Sequence, residues 1–271
     1  MYKKMDCGNY SDFFIKRCTV DLAGRVCKIE EIPCETLEDL LGGFGRAFKI
    51  LANRDISEAY TQENPLILNV GLFTGTNIMT GLRTYFCGYS PQKVSSAGKP
   101  GAMWSAGSGK FGSKLAWSGL DEVIFENRSE TPVMIVFSKK DGDPVVEIKD
   151  AHFLSGLTAH QKALKLREIY KDAHFATIST AGENYENVYM GSILLTTENF
   201  MKSGEDKFRF CGRGGMGSLM GYKNILAIVA DTRDQSIPLS EEEKRINNEI
   251  IKGGTSLRYQ PIARGGGGAT W

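Results

Sequence analysis

Apolar and polar residues alternate along much of this chain, and the pattern predicts many strands and few helices. Residues 13–32 alternate on both sides of Ala23-Gly24, which is typical of a β-hairpin. A second hairpin is predicted over 133–148, with its turn at Asp141-Gly142. Further strands are predicted at 66–73, 83–89, 121–127, 132–138, 174–180, 188–196 and 225–231.

Three stretches have the spacing of helices instead. Residues 35–53 carry leucines and phenylalanines three or four positions apart, and residues 158–170 are amphipathic. Ser240 to Glu243 form a capping box that opens a helix ending near residue 252. Because strands outnumber helices and helices rarely separate them, the order predicts an α+β fold. Residues 1–235 are expected to form one domain, followed by a helix and a glycine-rich tail over 236–271.

Composition limits the classes of function. The 271 residues suffice for one large domain, and 41% of them are hydrophobic, as in a globular protein. A net charge of +1 argues against a surface that binds nucleic acid. No apolar run reaches the roughly 18 residues of a membrane helix, and the first residues lack the apolar region of a secretory signal. The six cysteines show no pairing pattern and are interpreted as reduced thiols, so a cytoplasmic location is expected.

The most glycine-rich loop, Gly212-Arg-Gly-Gly-Met-Gly217, lies just before the apolar run 225–230. Glycines let a backbone approach a ligand closely, and Arg209 and Arg213 add permanent charge, so the loop indicates a phosphate or a similarly charged ligand. The glycines also match a dinucleotide motif, but the preceding residues do not have the pattern of a buried strand, and only seven residues follow before the next strand. A turn that packs a helix against a sheet is the other interpretation.

Two more segments combine small residues with a nearby cation. Gly71-Leu-Phe-Thr-Gly-Thr76 follows a predicted strand and precedes Arg83, whereas Ser105 to Leu115 has the composition of a loop that enters a helix. One such segment is usually a turn, but three indicate a broad anionic ligand held largely by backbone groups. We therefore expect Arg83, Ser108 and Arg213 to converge on one face.

Longer motifs connect these loops to a known family. They are Phe14-Ile-Lys-Arg-Cys-Thr-Val-Asp-Leu-Ala-Gly-Arg25, Gly71-x-x-Thr-Gly-Thr76, Gly81-x-Arg83, Ser108-Gly-x-Phe-Gly112, Ala181-Gly-Glu-Asn184 and Gly212-Arg-Gly-Gly-x-Gly-x-x-Met-Gly-x-Lys-Asn224. In this order, roughly residues 10–232 resemble the N-terminal domain of the tungsten-containing aldehyde ferredoxin oxidoreductase family. The resemblance implies a β-rich platform of two packed mixed sheets with a few helices. Such a platform lies under two pterin-dithiolene ligands that chelate one tungsten or molybdenum atom, so residues 1–235 are expected to be a tungstopterin-binding domain.

The resemblance also implies roles for individual residues, although it identifies no catalytic residue. The implied cofactor-binding residues are Arg83, Ala106, Ser108, Gly109, Arg209, Phe210, Cys211, Gly212, Arg213 and Gly214. The backbone carbonyls of Ala106 and Phe210 are implied to hold a magnesium ion that bridges the pterin phosphates. The family often has Asn in place of Ala106, and more often has small residues in place of Phe210 and Cys211.

Other parts of the family's machinery are not found in this sequence. The family carries a [4Fe–4S] cluster on a C-x-x-C-x-x-x-C motif, and no C-x-x-C pair occurs here. Its acid/base residues belong to later helical domains. We therefore expect half of an enzyme, inactive alone, which a C-terminal helical part or partner subunit carrying the cluster completes. The implied reaction is aldehyde oxidation with a ferredoxin-like electron carrier. A non-catalytic scaffold paralogue of the same fold and a nucleotide-binding enzyme are the alternatives.

Overall fold

Two six-stranded β-sheets dominate the structure. The computed structural model describes residues 10, 12–78, 81–235 and 238–254. The first sheet contains β1 (Phe14–Asp21), β2 (Val26–Pro33), β3 (Leu66–Val70), β4 (Thr84–Val94), β5 (Pro100–Gly107) and β6 (Glu122–Glu126). The second contains β7 (Val133–Lys140), β8 (Asp143–Asp150), β9 (His174–Ile178), β10 (Ile193–Thr196), β11 (Phe208–Cys211) and β12 (Ile225–Asp231).

Both sheets are mixed. The first has the strand order β2-β1-β6-β3-β4-β5, in which only β1 and β6 run parallel. The second has the order β11-β10-β9-β12-β7-β8, in which only β12 and β7 run parallel. The predicted α+β platform of two packed mixed sheets is confirmed.

Eight helices connect and cover the sheets within the described residues. They are α1 (Leu37–Leu41), α2 (Gly43–Leu51), α3 (Lys110–Trp117), α4 (Ala159–Ile169), α5 (Thr180–Glu183), α6 (Glu198–Ser203), α7 (Met216–Tyr222) and α8 (Glu241–Gly254). α3 and α7 contact strands of both sheets and therefore lie between them. α2 packs on the outer face of the first sheet, and α4 packs on the outer face of the second.

The glycines of α7 allow this helix to fit between the sheets. Every residue of α7 is buried. A Cβ atom on Gly221 would lie 1.9 Å from the carbonyl oxygen of Gly182, and one on Gly217 would lie 2.5 Å from the carbonyl oxygen of Gly191. Since no side chain fits in either position, these two glycines are required for packing. Part of the glycine-rich loop is thus structural, as one of the two interpretations of the sequence proposed.

A buried ion-pair network attaches the α1–α2 pair to the first sheet. Arg46 Nη1 lies 2.7 Å from Asp39 Oδ1, and Arg46 Nε lies 3.2 Å from Glu122 Oε2. Arg17 Nε donates a hydrogen bond of 2.7 Å to Glu122 Oε1. Burial alone would raise the pKa of Asp39, but hydrogen bonds from Lys49 and from backbone amides lower it to about 2. The network therefore holds α2 in one position over the sheet.

Several predicted elements are confirmed, and others differ. The hairpins, the helix over 158–170 and the capped helix after Ser240 form as expected. The helix predicted over 35–53 is divided in two at Gly42, where φ is +68° and a Cβ atom would lie 2.5 Å from the carbonyl oxygen of Val70. β5 and β11 were not predicted. The predicted glycine-rich tail beyond Gly254 lies outside the described residues, and none of the described helices is long and apolar enough to cross a membrane.

The packing of α7 generates the first prediction. Gly221→Ala places a methyl group against a backbone carbonyl that cannot move away easily, so the substitution should lower the free energy of unfolding by about 1–3 kcal/mol or more. Gly45→Ala is the matched control, because Gly45 also lies in a helix and, apart from its chain neighbours and the backbone of its own helix, no atom lies within 4 Å of the position that its new methyl group would take. It should raise stability by about 0.5–1 kcal/mol. Urea unfolding measures both, and equal stability of the two variants would contradict this packing.

Candidate functional site

The edge strands β5 and β11 meet where the two sheets come together. Each lies at one edge of its sheet, and the two strands contact one another. Gly107 makes this contact possible, because a Cβ atom there would lie 2.5 Å from Leu195 Cδ1 and 2.9 Å from Cys211 Sγ. The amide of Arg213 also donates a hydrogen bond of 3.0 Å to Ser105 Oγ. The loop after β11 is thus fixed to the first sheet.

A cleft of about 670 Å³ opens at this junction and is called the seam cleft below. It is lined by Phe44, Arg83, Tyr85, Trp104, Ser105, Ala106, Phe210, Gly212 and Arg213. Arg83 reaches the cleft from the start of β4, and Arg213 from the loop after β11. A neighbouring cleft of about 580 Å³, beside the start of α3, is lined by residues that include Ser108, Gly109 and Arg209. The two clefts adjoin, because three separate segments each contribute to both of them, through Leu82 and Arg83, Ser108 and Ala106, and Arg209 and Phe210.

Eight of the ten predicted cofactor residues therefore line one of two adjoining clefts. The other two, Cys211 and Gly214, are buried. Burial raises the pKa of the Cys211 thiol to about 12, and its sulfur faces the backbone of β5. The carbonyl of Gly214 accepts a hydrogen bond from Ser90. These two residues contribute to the packing of the loop, and neither of them lines a cleft.

Three arginines around the clefts have no acidic partner within the part of the chain that the structure describes. The guanidinium groups of Arg83, Arg209 and Arg213 are exposed and form no ion pair there. Arg17 and Arg46 differ, because both bind Glu122. An unpaired guanidinium group presents a forked set of donors that suits phosphate or carboxylate oxygens. The electrostatics of the clefts therefore favour an anionic ligand.

Aromatic side chains form one wall of the seam cleft. The rings of Phe44 and Trp104 stack with their centroids 5.2 Å apart, and Tyr85 lies 5.7 Å from Phe44. These residues were not identified from the sequence. The sequence did contain a signal for them. Tyr85 lies two positions after Arg83, Trp104 lies two positions before Ala106, and residues two apart on a strand share a face. Flat apolar surfaces beside unpaired cations suit a planar anionic molecule.

The lysines near these loops already have partners within the protein. Lys110 forms ion pairs with Glu198 and Asp234, and Lys114 pairs with Asp234 and is almost fully buried. Lys223 is fully buried, and its amine donates to the carbonyl of Asn127. The arginines, rather than these lysines, thus provide the unpaired positive charge.

The dinucleotide interpretation does not fit this fold. In the second sheet β11 and β12 are separated by β10 and β9, and the three antiparallel pairings make β11 antiparallel to β12. A dinucleotide site of this kind needs a helix that connects two parallel strands.

Among the described residues there is no cluster of three or more His, Cys, Asp or Glu side chains that could hold a metal ion. Ala106 and Phe210, whose carbonyls were predicted to bind magnesium, line the same cleft.

Comparison with known proteins gives one family. The family model described as aldehyde ferredoxin oxidoreductase, N-terminal domain, matches residues 17–232. Tungsten-containing aldehyde ferredoxin oxidoreductases of Thermococcus kodakarensis and Pyrococcus furiosus are 32% and 29% identical over 267 residues. These alignments cover 96% of this chain and 39% of each relative, so the chain spans about two fifths of their length.

Two further relatives come from multi-subunit enzymes. The WOR-like subunit of an aliphatic sulfonate oxidoreductase from Pyrococcus furiosus is 27% identical, over 79% of this chain and 34% of that subunit. A solved structure, the active-site complex BamBC of benzoyl coenzyme A reductase with 1,5-dienoyl-CoA, superposes with a TM-score of 0.73 and 28% identity. It covers 88% of this chain and 34% of the matched chain.

Buried Lys223 generates a prediction about pH. Burial lowers its pKa from the usual value near 10.4 to about 7. Between these two values the unfolded chain binds more protons than the folded chain, so the contribution of Lys223 to the free energy of unfolding rises with pH. Lys223→Met should remove this rise, by at most about 1.4 kcal/mol per pH unit. Urea unfolding at pH 7 and pH 9 measures it, with exposed Lys139→Met as control, and an identical pH dependence of the native chain and Lys223→Met would contradict the lowered pKa.

Proposed function

The chain belongs to the aldehyde ferredoxin oxidoreductase family, and from this premise we propose that it is the platform for a bis-pterin tungsten or molybdenum cofactor. The observation that carries the proposal is the seam cleft with its two unpaired arginines, Arg83 and Arg213. Two of the relatives named above are tungsten-containing enzymes, and the family match includes every loop around this cleft. The names of those relatives show that the family to which this chain belongs is a family of oxidoreductases.

The residues present fit such a cofactor. Arg83 and Arg213 would bind phosphate oxygens, and Arg209 would do so from the adjoining cleft. Gly212 has open space where a side chain would project, so a ligand can approach its backbone closely. Trp104 and Phe44 offer flat apolar surfaces to a pterin ring. The backbone carbonyls of Ala106 and Phe210, two residues that line the same cleft, remain the proposed ligands of a magnesium ion.

The cofactor, when bound, would supply the two-electron redox chemistry, and the chain would supply position and electrostatics. Arg83 and Arg213 would fix its orientation, while the buried network below α2 would keep Phe44 against the cleft. Exclusion of water from the cleft would strengthen the arginine contacts. The residues that move protons would come from the part of the enzyme that the chain does not include.

Exposed apolar side chains surround the clefts. Leu41, Leu72 and Phe73 lie around the loop before Arg83, while Phe44, Leu82 and Phe210 line the two clefts. An exposed apolar rim around a site is typical of a contact surface. We propose that a helical C-terminal part or partner subunit covers it, carries the [4Fe–4S] cluster and passes electrons to a ferredoxin-like carrier. The five described cysteines are free thiols, which fits the proposed cytoplasmic location.

Cofactor retention tests the site. Arg213→Ala removes a charge-assisted contact of about 1.5–3 kcal/mol, so the enzyme purified with its partner should lose tungsten and pterin roughly ten- to a hundred-fold more readily on dilution. Lys139→Ala is the control, since Lys139 is exposed near the tip of the hairpin between β7 and β8. Metal and pterin are counted per chain by elemental and fluorescence analysis. Equal content in the two variants would contradict the assignment, and absence of both groups from the native protein would favour the scaffold alternative.

Activity of the chain alone tests its proposed role as a platform. We expect no aldehyde oxidation by residues 1–271 alone, because the proposed opposite wall of the cleft and the cluster belong elsewhere. Addition of the cognate helical partner should restore dye-coupled aldehyde oxidation. Full turnover by the isolated chain, with metal bound and no iron, would contradict this division of roles.

A further inference from the structure

Ser90 is a fully buried serine of β4 whose hydroxyl group reaches the loop after β11. The pairing of β4 with β5 is interrupted at this position, because residues 90–93 lie opposite Gly101 alone. A bulge of this kind directs a side chain away from its regular position on the strand. The Ser90 hydroxyl donates a hydrogen bond of 2.8 Å to the backbone carbonyl of Gly214. A strand of the first sheet therefore holds a loop of the second.

The direction of this hydrogen bond follows from the other two partners of the hydroxyl group. Its oxygen accepts hydrogen bonds of 3.1 Å from the amides of Gln92 and Lys93. A serine hydroxyl has one proton and two acceptor lone pairs, so both lone pairs are used and the proton is directed to Gly214. Because Ser90 is fully buried, bulk water does not compete for these bonds. All the hydrogen-bonding capacity of Ser90 is thus used to fix the bulge and the loop.

The loop that Ser90 holds contains two consecutive glycines in an unusual conformation. Gly214 and Gly215 both have a φ of +67°, in the left-handed region that glycine adopts far more readily than other residues. The same bulge also limits the loop sterically, because a Cβ atom on Gly215 would lie 2.8 Å from Pro91 Cγ. Glycines have wide backbone freedom, so contacts from outside the loop select this conformation.

We propose that Ser90 is a positioning residue for Arg213, which directs its guanidinium group into the seam cleft. The inference rests on the proposed function, in which Arg213 binds a phosphate of an anionic cofactor. The backbone around Arg213 is held on both sides by the first sheet, through Ser105 at its own amide and through Ser90 at the carbonyl of Gly214. Ser105 lines the seam cleft, so it could also touch a ligand. Ser90 lines neither cleft and acts only through the loop.

A double-mutant cycle in the enzyme purified with its partner tests the proposal. Ser90→Ala should release tungsten and pterin roughly two- to tenfold faster on dilution, as expected for the loss of one hydrogen bond. In the Arg213→Ala background it should have no further effect, because the side chain that Ser90 positions is absent. In the Arg83→Ala background it should keep its full effect. Ser129→Ala is the matched control and should release the cofactor at the native rate. Ser129 is also buried, its hydroxyl donates a hydrogen bond of 2.7 Å to the carbonyl of Thr131, and neither residue lines a cleft.

Hydrogen exchange measures the same contact without the cofactor. After the cofactor is removed from the assembled enzyme, Ser90→Ala should speed exchange at the amides of residues 213–216, whereas Ser129→Ala should not. Ser90→Cys keeps the size of the side chain but has a weaker donor, so it should give an intermediate effect in both measurements. It replaces Ser90→Ala if thermal unfolding shows that the alanine variant does not fold.

The possible outcomes separate this inference from the proposed function. Equal effects of Ser90→Ala in the two arginine backgrounds would overturn the inference, because Ser90 would then support the cleft in general. An unchanged release rate in Ser90→Ala, with faster release from Arg213→Ala, would also overturn it and would leave the cofactor site in place. Unchanged release from Arg213→Ala would contradict the proposed function instead. In that case faster exchange in Ser90→Ala would still support the positioning of the loop, and unchanged exchange would overturn it.

Discussion

The contact between β5 and β11 is the constraint on which the site depends. Gly107 lets Leu195 and Cys211 pack directly against the backbone of β5, so the two sheets meet at their edges. Any side chain at this position would separate the strands that line the seam cleft. Ser105 adds a hydrogen bond to the loop after β11. Arg83 and Arg213 therefore line one cleft because the edge strands β5 and β11 are in contact.

The remaining fold supports this junction from both sides. α7 fits between the sheets because its glycines lie against backbone atoms, and this fixes the start of β12 and the loop before the helix. On the outer face of the first sheet, Arg46 joins Asp39 to Glu122 and holds α2, which places Phe44 against Trp104. A buried pair of this kind is costly to break, because its removal leaves an uncompensated charge. The position of the aromatic wall of the cleft therefore depends on this buried ion-pair network.

Much of the fold could be predicted from the sequence, but the site could be predicted only in part. Hairpins and amphipathic helices have local patterns, so β1, β2, β7, β8 and α4 were identified. β5 was missed because small residues dominate Pro100–Gly107, and β11 was missed because it is a short edge strand between charged residues. Arg83 and Arg213 were identified from the loops of small residues beside them and from the family motifs. Trp104 and Phe44 depend on how distant elements pack, which no local pattern records, and the ion pairs of Lys110 and Lys114 depend on the same packing.

The most direct test of the account is to locate the metal in the assembled enzyme. Anomalous diffraction at the tungsten or molybdenum absorption edge, from crystals of this chain with its native partner, gives the metal position without reference to activity. The account predicts one strong peak over the junction of β5 and β11, on the side where Arg83 and Arg213 project. A metal bound elsewhere on the chain, or held by the partner alone and far from the seam cleft, would contradict it.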